Sequence, residues 1–229
     1  MKVLVYQPEV GISAEGEEWA NKEQVELVEK LVEKLKPDLV VLPELWPGYP
    51  WAMKRLSRLP CYSMAGTKTE KDGKKYNSYV LTKNGKRLDR YDKIHLYKSE
   101  NEEFIPGEKP GILRFGGLNV GILICNDVTS EELIKEVAEK SDLVVMASNA
   151  DVRYLDKEWK NIISKTNREY GVPVIFANVG GVYEWKGDRY GGGESMIFDE
   201  GEVKIMLGKE EGWVLYDTQN HTVVAISKK

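Results

Sequence analysis

A chain of 229 residues, 41% hydrophobic and 31% charged, is long enough to bury a sizeable core as one domain over residues 1–229, and too apolar to stay disordered. Its 33 basic and 37 acidic residues give a net charge of −4 with no basic block, which excludes a phosphate-tracking surface and argues against a nucleic acid partner. Apolar runs too short for a membrane span, a start without a signal-peptide core and only two cysteines, Cys61 and Cys125, lead us to expect a cytoplasmic protein with reduced thiols.

Residues 2–7 read as a buried strand, and 19–36 as a helix with Val25, Val28, Leu31, Val32 and Leu35 at helical spacing, ended by Pro37. A β-branched run at 38–42 reads as a strand that leads into Pro43-Glu44 and an aromatic loop, Trp46-Pro47-Gly48-Tyr49-Pro50-Trp51, with a helix from about 51 to 58. Strands at 63–68, 76–82 and 86–91 are separated by the hairpin pairs Asp72-Gly73 and Asn84-Gly85. Strand 118–124 runs into Cys125, helix 130–140 is capped by Thr129 or Ser130, and 143–147 is a further buried strand. Helix 157–170 stops at Gly171, strand 173–177 follows, and 194–217 holds short strands with turns at Glu200-Gly201 and Glu211-Gly212. Strands alternating with helices, with hairpins interposed, imply an α/β fold whose mixed sheet is covered by helices. Abundant Lys and Glu beside little Gln and Cys lean toward a protein from a hot environment.

In α/β sheets, ligands bind beyond the carboxyl ends of the strands, so Glu44 and Cys125, each directly behind a buried run, draw attention. A carboxylate at that depth is costly unless protonated, hydrogen-bonded or paired with a cation. A thiol becomes a nucleophile when a nearby base takes its proton. Read singly, each has a bland alternative: Cys125 as an inert core thiol, Glu44 as a cap, and Lys93 as a solvated charge. The chain has two histidines, His95 and His221, and spacing alone leaves either open as the base of a papain-like Cys-His pair. Two distant Cys and two distant His give no zinc-ligand spacing, so no metal and no cofactor are expected.

Three segments together, Leu42-Pro43-Glu44, Tyr91-Asp92-Lys93-Ile94-His95-Leu96 and Gly121-Ile122-Leu123-Ile124-Cys125-Asn126-Asp127, resemble in type and order the signature segments of the nitrilase superfamily of carbon-nitrogen hydrolases. Ser148-Asn149, Ala177-Asn178 and Gly193-Glu194-Ser195 extend the resemblance over nearly the whole chain. It implies a four-layer αββα sandwich of nitrilase type, assembled as a homodimer or larger homo-oligomer. It further implies Glu44 as base, Cys125 as nucleophile, and Lys93 with the backbone N–H of Asn126 as stabilisers of the charge that develops. A second glutamate is implied at Glu100, with Glu102 and Glu103 as neighbouring competitors. Asn149, with Tyr49 and Trp51 of the aromatic loop, is expected to bind substrate. The substrate implied is a small amide or carbamoyl compound cleaved through a Cys thioester. Nitrile hydrolysis, acyl transfer and a non-catalytic binding module on the same fold are the alternatives. Asp92, Asn126 and Thr129-Ser130 depart from the family's usual residues, which alters the pocket around the triad.

Overall fold

Every residue of β1 (Lys2–Gln7) after the first is buried, as a strand must be when it has neighbours on both edges and cover on both faces. In the computed structural model, which describes residues 1–13, 16–18, 20–151, 158–185 and 188–228, two large sheets provide that cover. After a small hairpin, β2 (Gly11–Ser13) with β3 (Gly16–Glu18), come α1 (Lys22–Leu35), β4 (Leu39–Val41), α2 (Pro50–Leu56), β5 (Tyr62–Lys71), β6 (Lys74–Lys83) and β7 (Lys86–Asp92). The middle of the chain forms β8 (Gly111–Phe115), β9 (Leu118–Ile124), α3 (Glu131–Ala138), β10 (Leu143–Ala147), α4 (Lys160–Tyr170) and β11 (Val174–Ala177). A second hairpin, β12 (Val182–Trp185) with β13 (Asp188–Gly191), precedes β14 (Met196–Asp199), β15 (Glu202–Met206), β16 (Gly212–Asp217) and β17 (Thr222–Lys228). One sheet runs β17-β16-β1-β4-β5-β6-β7 and the other β15-β14-β11-β10-β9-β8. β1, β4 and β5 pair in parallel, as do β9, β10 and β11, and the flanking strands are antiparallel.

The period of two along a strand sorts the core into three sheets of side chains. Val3 and Val5 of β1, with Leu39 and Val41, face Ile122, Val145 and Ile175 of the other sheet. Leu4 and Tyr6 point the opposite way, onto Val25, Val28 and Leu56 of α1 and α2. On the far side Leu123, Val144 and Phe176 pack against Leu133, Val137 and Ile163 of α3 and α4. The layers therefore read α-β-β-α, the four-layer sandwich expected. Among the described residues no helix is long and apolar enough to cross a membrane.

Local chemistry moves several expected boundaries. α1 starts at Lys22 because Asn21 caps it: the Asn21 side chain accepts from Gln24 N–H at 2.8 Å, and the Gln24 side chain accepts from Asn21 N–H. Trp19 and Lys157, the expected first residues of two helices, lie outside the described residues. Ser130, not Thr129, caps α3 by accepting from Leu133 N–H at 3.2 Å. β8 and the β12–β13 hairpin, each of five residues or fewer per strand, were not anticipated, and neither was β17, which follows residue 217 and pairs with β16.

Gly66 of β5 lies under the exit of β4: its N–H bonds Pro43 O at 3.2 Å, and an added Cβ would fall 2.2 Å from Leu45 N and 2.7 Å from Glu44 Cα. Gly66→Ala is expected to destabilise the fold by about 1–3 kcal/mol in urea unfolding. Gly208→Ala, where no atom lies within 4 Å of the new Cβ, stays within about 0.5 kcal/mol of the parent; equal effects would contradict this packing.

Candidate active site

The parallel strands deliver Glu44, Cys125 and Asn149 to one place. β4 ends just before Glu44, while β9 and β10 pair with Ala147 opposite Ile124, so that Cys125 and Ser148 emerge side by side. Cys125 itself turns the chain with φ +44° at the head of a short 3-10 turn, Cys125–Thr129, a conformation that costs energy in an L residue and is often found at functional sites. Glu44, Lys93, Glu100, Cys125, Asn126 and Asn149 all line one cavity of about 550 Å³.

Within that cavity Lys93 is 1% exposed and Glu44 3%. The Lys93 ammonium donates to Glu44 Oε1 at 2.7 Å and to Glu100 Oε2 at 2.8 Å. Asn77 Nδ2 donates to the same two carboxylates, at 2.9 Å and 2.6 Å. Glu44 Oε2 accepts the backbone N–H of Asn149 at 3.0 Å, and Glu100 Oε2 that of Tyr97 at 2.6 Å. Each charge thus meets an opposite charge or a dipole, the condition under which buried ions are tolerated.

Burial lifts the Glu44 carboxyl above the ordinary glutamate range, and Lys93 pulls it back only in part. Burial also works against the Lys93 ammonium, but Glu44, the Cys125 sulfur and Glu100 outweigh it and hold the cation well above the usual lysine range. Burial first and Glu44 second push the Cys125 thiol up to about 12, against the pull of Lys93. At neutral pH the resting thiol therefore keeps its proton, beside a carboxylate with raised proton affinity.

Glu100, rather than its neighbours, meets Lys93; Glu103 pairs with Lys68 at 2.9 Å instead. Neither histidine lines the cavity: His95 Nδ1 lies 3.5 Å from Asp127 Oδ1, and His221 Nδ1 2.7 Å from Asp199 Oδ2. The expectation for Tyr49 and Trp51 needs correction, since neither lines the cavity. Trp46 takes the buried place in that loop, 5.4 Å from the Tyr6 ring, and the chain then turns outward at Pro50. Tyr49 and Trp51 stack on one another at 6.4 Å, with Trp51 42% exposed. The aromatic wall comes instead from Tyr97, Phe104, Trp159, Tyr183 and Tyr190. Asn77 was missed, although the period-two pattern places it on the same strand face as core residues Tyr79 and Leu81, where a buried amide needs partners. Among the described residues no three His, Cys, Asp or Glu side chains gather where they could hold a metal ion.

Residues 5–226 match the family model described as carbon-nitrogen hydrolase. The chain belongs to this family. Among relatives of the carbon-nitrogen hydrolase chain are an (R)-stereoselective amidase of Pseudomonas sp, 29% identical over 61% of this chain and 50% of that protein, and a probable nitrilase of Schizosaccharomyces pombe, 29% identical over 62% and 52%. The chain spans about half the length of these curated relatives. Its fold is similar to that of an amidase from Nesterenkonia sp. AN1 carrying acrylamide at its active-site cysteine (TM-score 0.77, 21% identity, covering 95% and 92% of the two chains). A glutamine-dependent NAD+ synthetase of Acinetobacter baumannii shares the fold as well (TM-score 0.78, 19% identity, covering 100% and 48%).

Lys93→Met would leave the buried Glu44 and the partly buried Glu100 carboxylates without their shared cation, and the expected loss of stability is about 3–5 kcal/mol near pH 7. With Lys93 gone, burial raises the Glu44 carboxyl further, opposed by the hydrogen bond from Asn77 but by no cation; a raised carboxyl favours the fold at low pH and loses that contribution as pH rises. The deficit should therefore shrink when urea unfolding is repeated at about pH 5, and a deficit independent of pH would contradict the charge pairing.

Proposed function

We propose that this protein hydrolyses a small amide or carbamoyl compound through a thioester on Cys125. The observation that carries the reading is the buried Glu44–Lys93–Glu100 chain of charges in the cavity that also holds Cys125. It supports the reading because the chemistry needs a base of raised proton affinity for the thiol proton and a fixed cation for the charge that develops on oxygen.

In the first half, Glu44 takes the thiol proton as sulfur bonds to the carbonyl carbon, and the C=O electron pair moves onto oxygen. Lys93 and the Asn126 N–H stabilise that oxyanion. Glu44 returns the proton to nitrogen, the C–N bond breaks, and ammonia or an amine leaves. In the second half water gives a proton to Glu44 while its oxygen attacks the thioester; the S–C bond breaks, the acid departs, and sulfur recovers the proton. Glu100 and Asn77 keep Lys93 and Glu44 aligned throughout, and Asn149 contributes its N–H to orient Glu44 and lines the substrate's place.

Ammonia release should be measured over short aliphatic amides, ω-amides, carbamoyl amino acids and nitriles, with intact mass recorded during turnover. An acyl adduct on Cys125 with cleavage of an amide or carbamoyl compound is the expected result, and Cys125→Ala should abolish both. Cleavage of nitriles alone, a preference for an amine acceptor over water, or unchanged turnover by Cys125→Ala would overturn the assignment.

The pH profile gives an independent check. Since the rate requires ionised Glu44, kcat/KM should fall as pH drops through a midpoint above about 4.3, the ordinary glutamate value, because burial raises this carboxyl. An acid limb at or below the ordinary value would show that another group is the base.

A further inference from the structure

We propose that Asp127 is a positioning residue whose carboxylate holds the Lys93 segment of one sheet against the Cys125 turn of the other. The chemistry it serves rests on the hydrolase reading above; its placement rests on hydrogen bonds alone. Asp127 is 0% exposed. Its Oδ1 accepts the backbone N–H groups of His95 at 2.8 Å and Ile94 at 3.2 Å. Its Oδ2 accepts the Tyr91 hydroxyl and the backbone N–H of Ile124, both at 2.8 Å.

Those donors bracket the two reacting segments. Tyr91 lies two residues before Lys93 and Ile94 directly after it, at the end of β7; Ile124 directly precedes Cys125, at the end of β9. β7 and β9 belong to different sheets, so one carboxylate crosses the interface between them. A second link runs in parallel, Asn126 Nδ2 donating to Leu96 O at 3.1 Å. A carboxylate suits this junction because it offers about four acceptor positions and no donor. An amide of the same shape would turn an N–H toward donors already committed.

The consequence for chemistry follows from how steeply each interaction depends on geometry. The Lys93 ammonium and the Asn126 N–H must both point at one oxygen, and hydrogen bonds weaken sharply with distance and angle. Coulombic attraction between Lys93 and the sulfur falls off slowly. Loosening the junction should therefore damage oxyanion stabilisation well before it changes the reactivity of the thiol.

The experiment uses propanal, whose carbonyl carbon bonds the Cys125 sulfur while the thiol proton passes through Glu44 to the oxygen. Protection of Cys125 from iodoacetamide, followed on the Cys125 peptide, gives the dissociation constant of this adduct without requiring amide turnover. Asp127→Asn is expected to weaken propanal protection about tenfold, and Tyr91→Phe, which deletes a single hydrogen bond to Asp127, about threefold. Alkylation without propanal should stay within about twofold of the parent in both. The proposal is overturned if protection is unchanged in either folded variant, if protection and alkylation fall together, or if the parent gains no protection. Should Asp127→Asn fail to fold, Tyr91→Phe decides alone. A parent that binds propanal yet cleaves no amide, carbamoyl compound or nitrile removes the hydrolase reading and leaves the positioning role standing.

Discussion

A lysine ammonium buried between two carboxylates is the interaction on which the rest of this molecule is organised. Lys93, at 1% exposure, would be intolerable in an apolar interior by itself, and so would Glu44. Their mutual pairing, the second contact to Glu100 and the shared amide of Asn77 make the group self-consistent. Orientation comes with that satisfaction. Glu44 has one oxygen committed to Lys93 and Asn77 and the other to the Asn149 N–H, so its carboxylate plane is set before any ligand arrives.

The two-sheet architecture is what makes such a group possible. Glu44 leaves β4 of one sheet, Cys125 leaves β9 of the other, and the layer of side chains between the sheets holds the two exits opposite each other. The helices cover the outer faces and contribute little to the cavity; among the described residues, Glu158 and Trp159, directly before α4, line it there. Close approach of backbones tightens the arrangement. At Gly66 the sheet passes directly against the main chain of Glu44 and Leu45, leaving no room for a Cβ, so the backbone that carries the carboxylate is held by main chain rather than by a side chain free to change rotamer.

Much of this could be read from residue order. Buried runs ending in Glu44 and Cys125 marked the strand exits, and the similarity of three segments to one superfamily joined Lys93 to them. The cavity wall was far less legible. Tyr183 and Tyr190 stack at 5.5 Å in the β12–β13 hairpin, whose strands of four residues each are too short to carry a clear alternating pattern. Tyr49 and Trp51, conspicuous in the chain, stack on each other away from the cavity. Aromatic content marks a residue as an anchor without saying which surface it anchors.

By itself the chain determined most of the elements and a mixed sheet covered by helices, while the four layers were implied only by the family resemblance. Alternating apolar residues, helix stops at Pro37 and Gly171, and hairpin pairs such as Asp72-Gly73 act over a few neighbours and carry their instructions locally. Only the tertiary structure decided which of Glu100, Glu102 and Glu103 meets Lys93, that neither histidine faces the thiol, and that Asn77 joins both carboxylates. Pairing of buried polar groups is settled by distance in space, and here the donor to Glu44 Oε2 lies 105 residues along the chain. No pattern of propensity or periodicity extends that far.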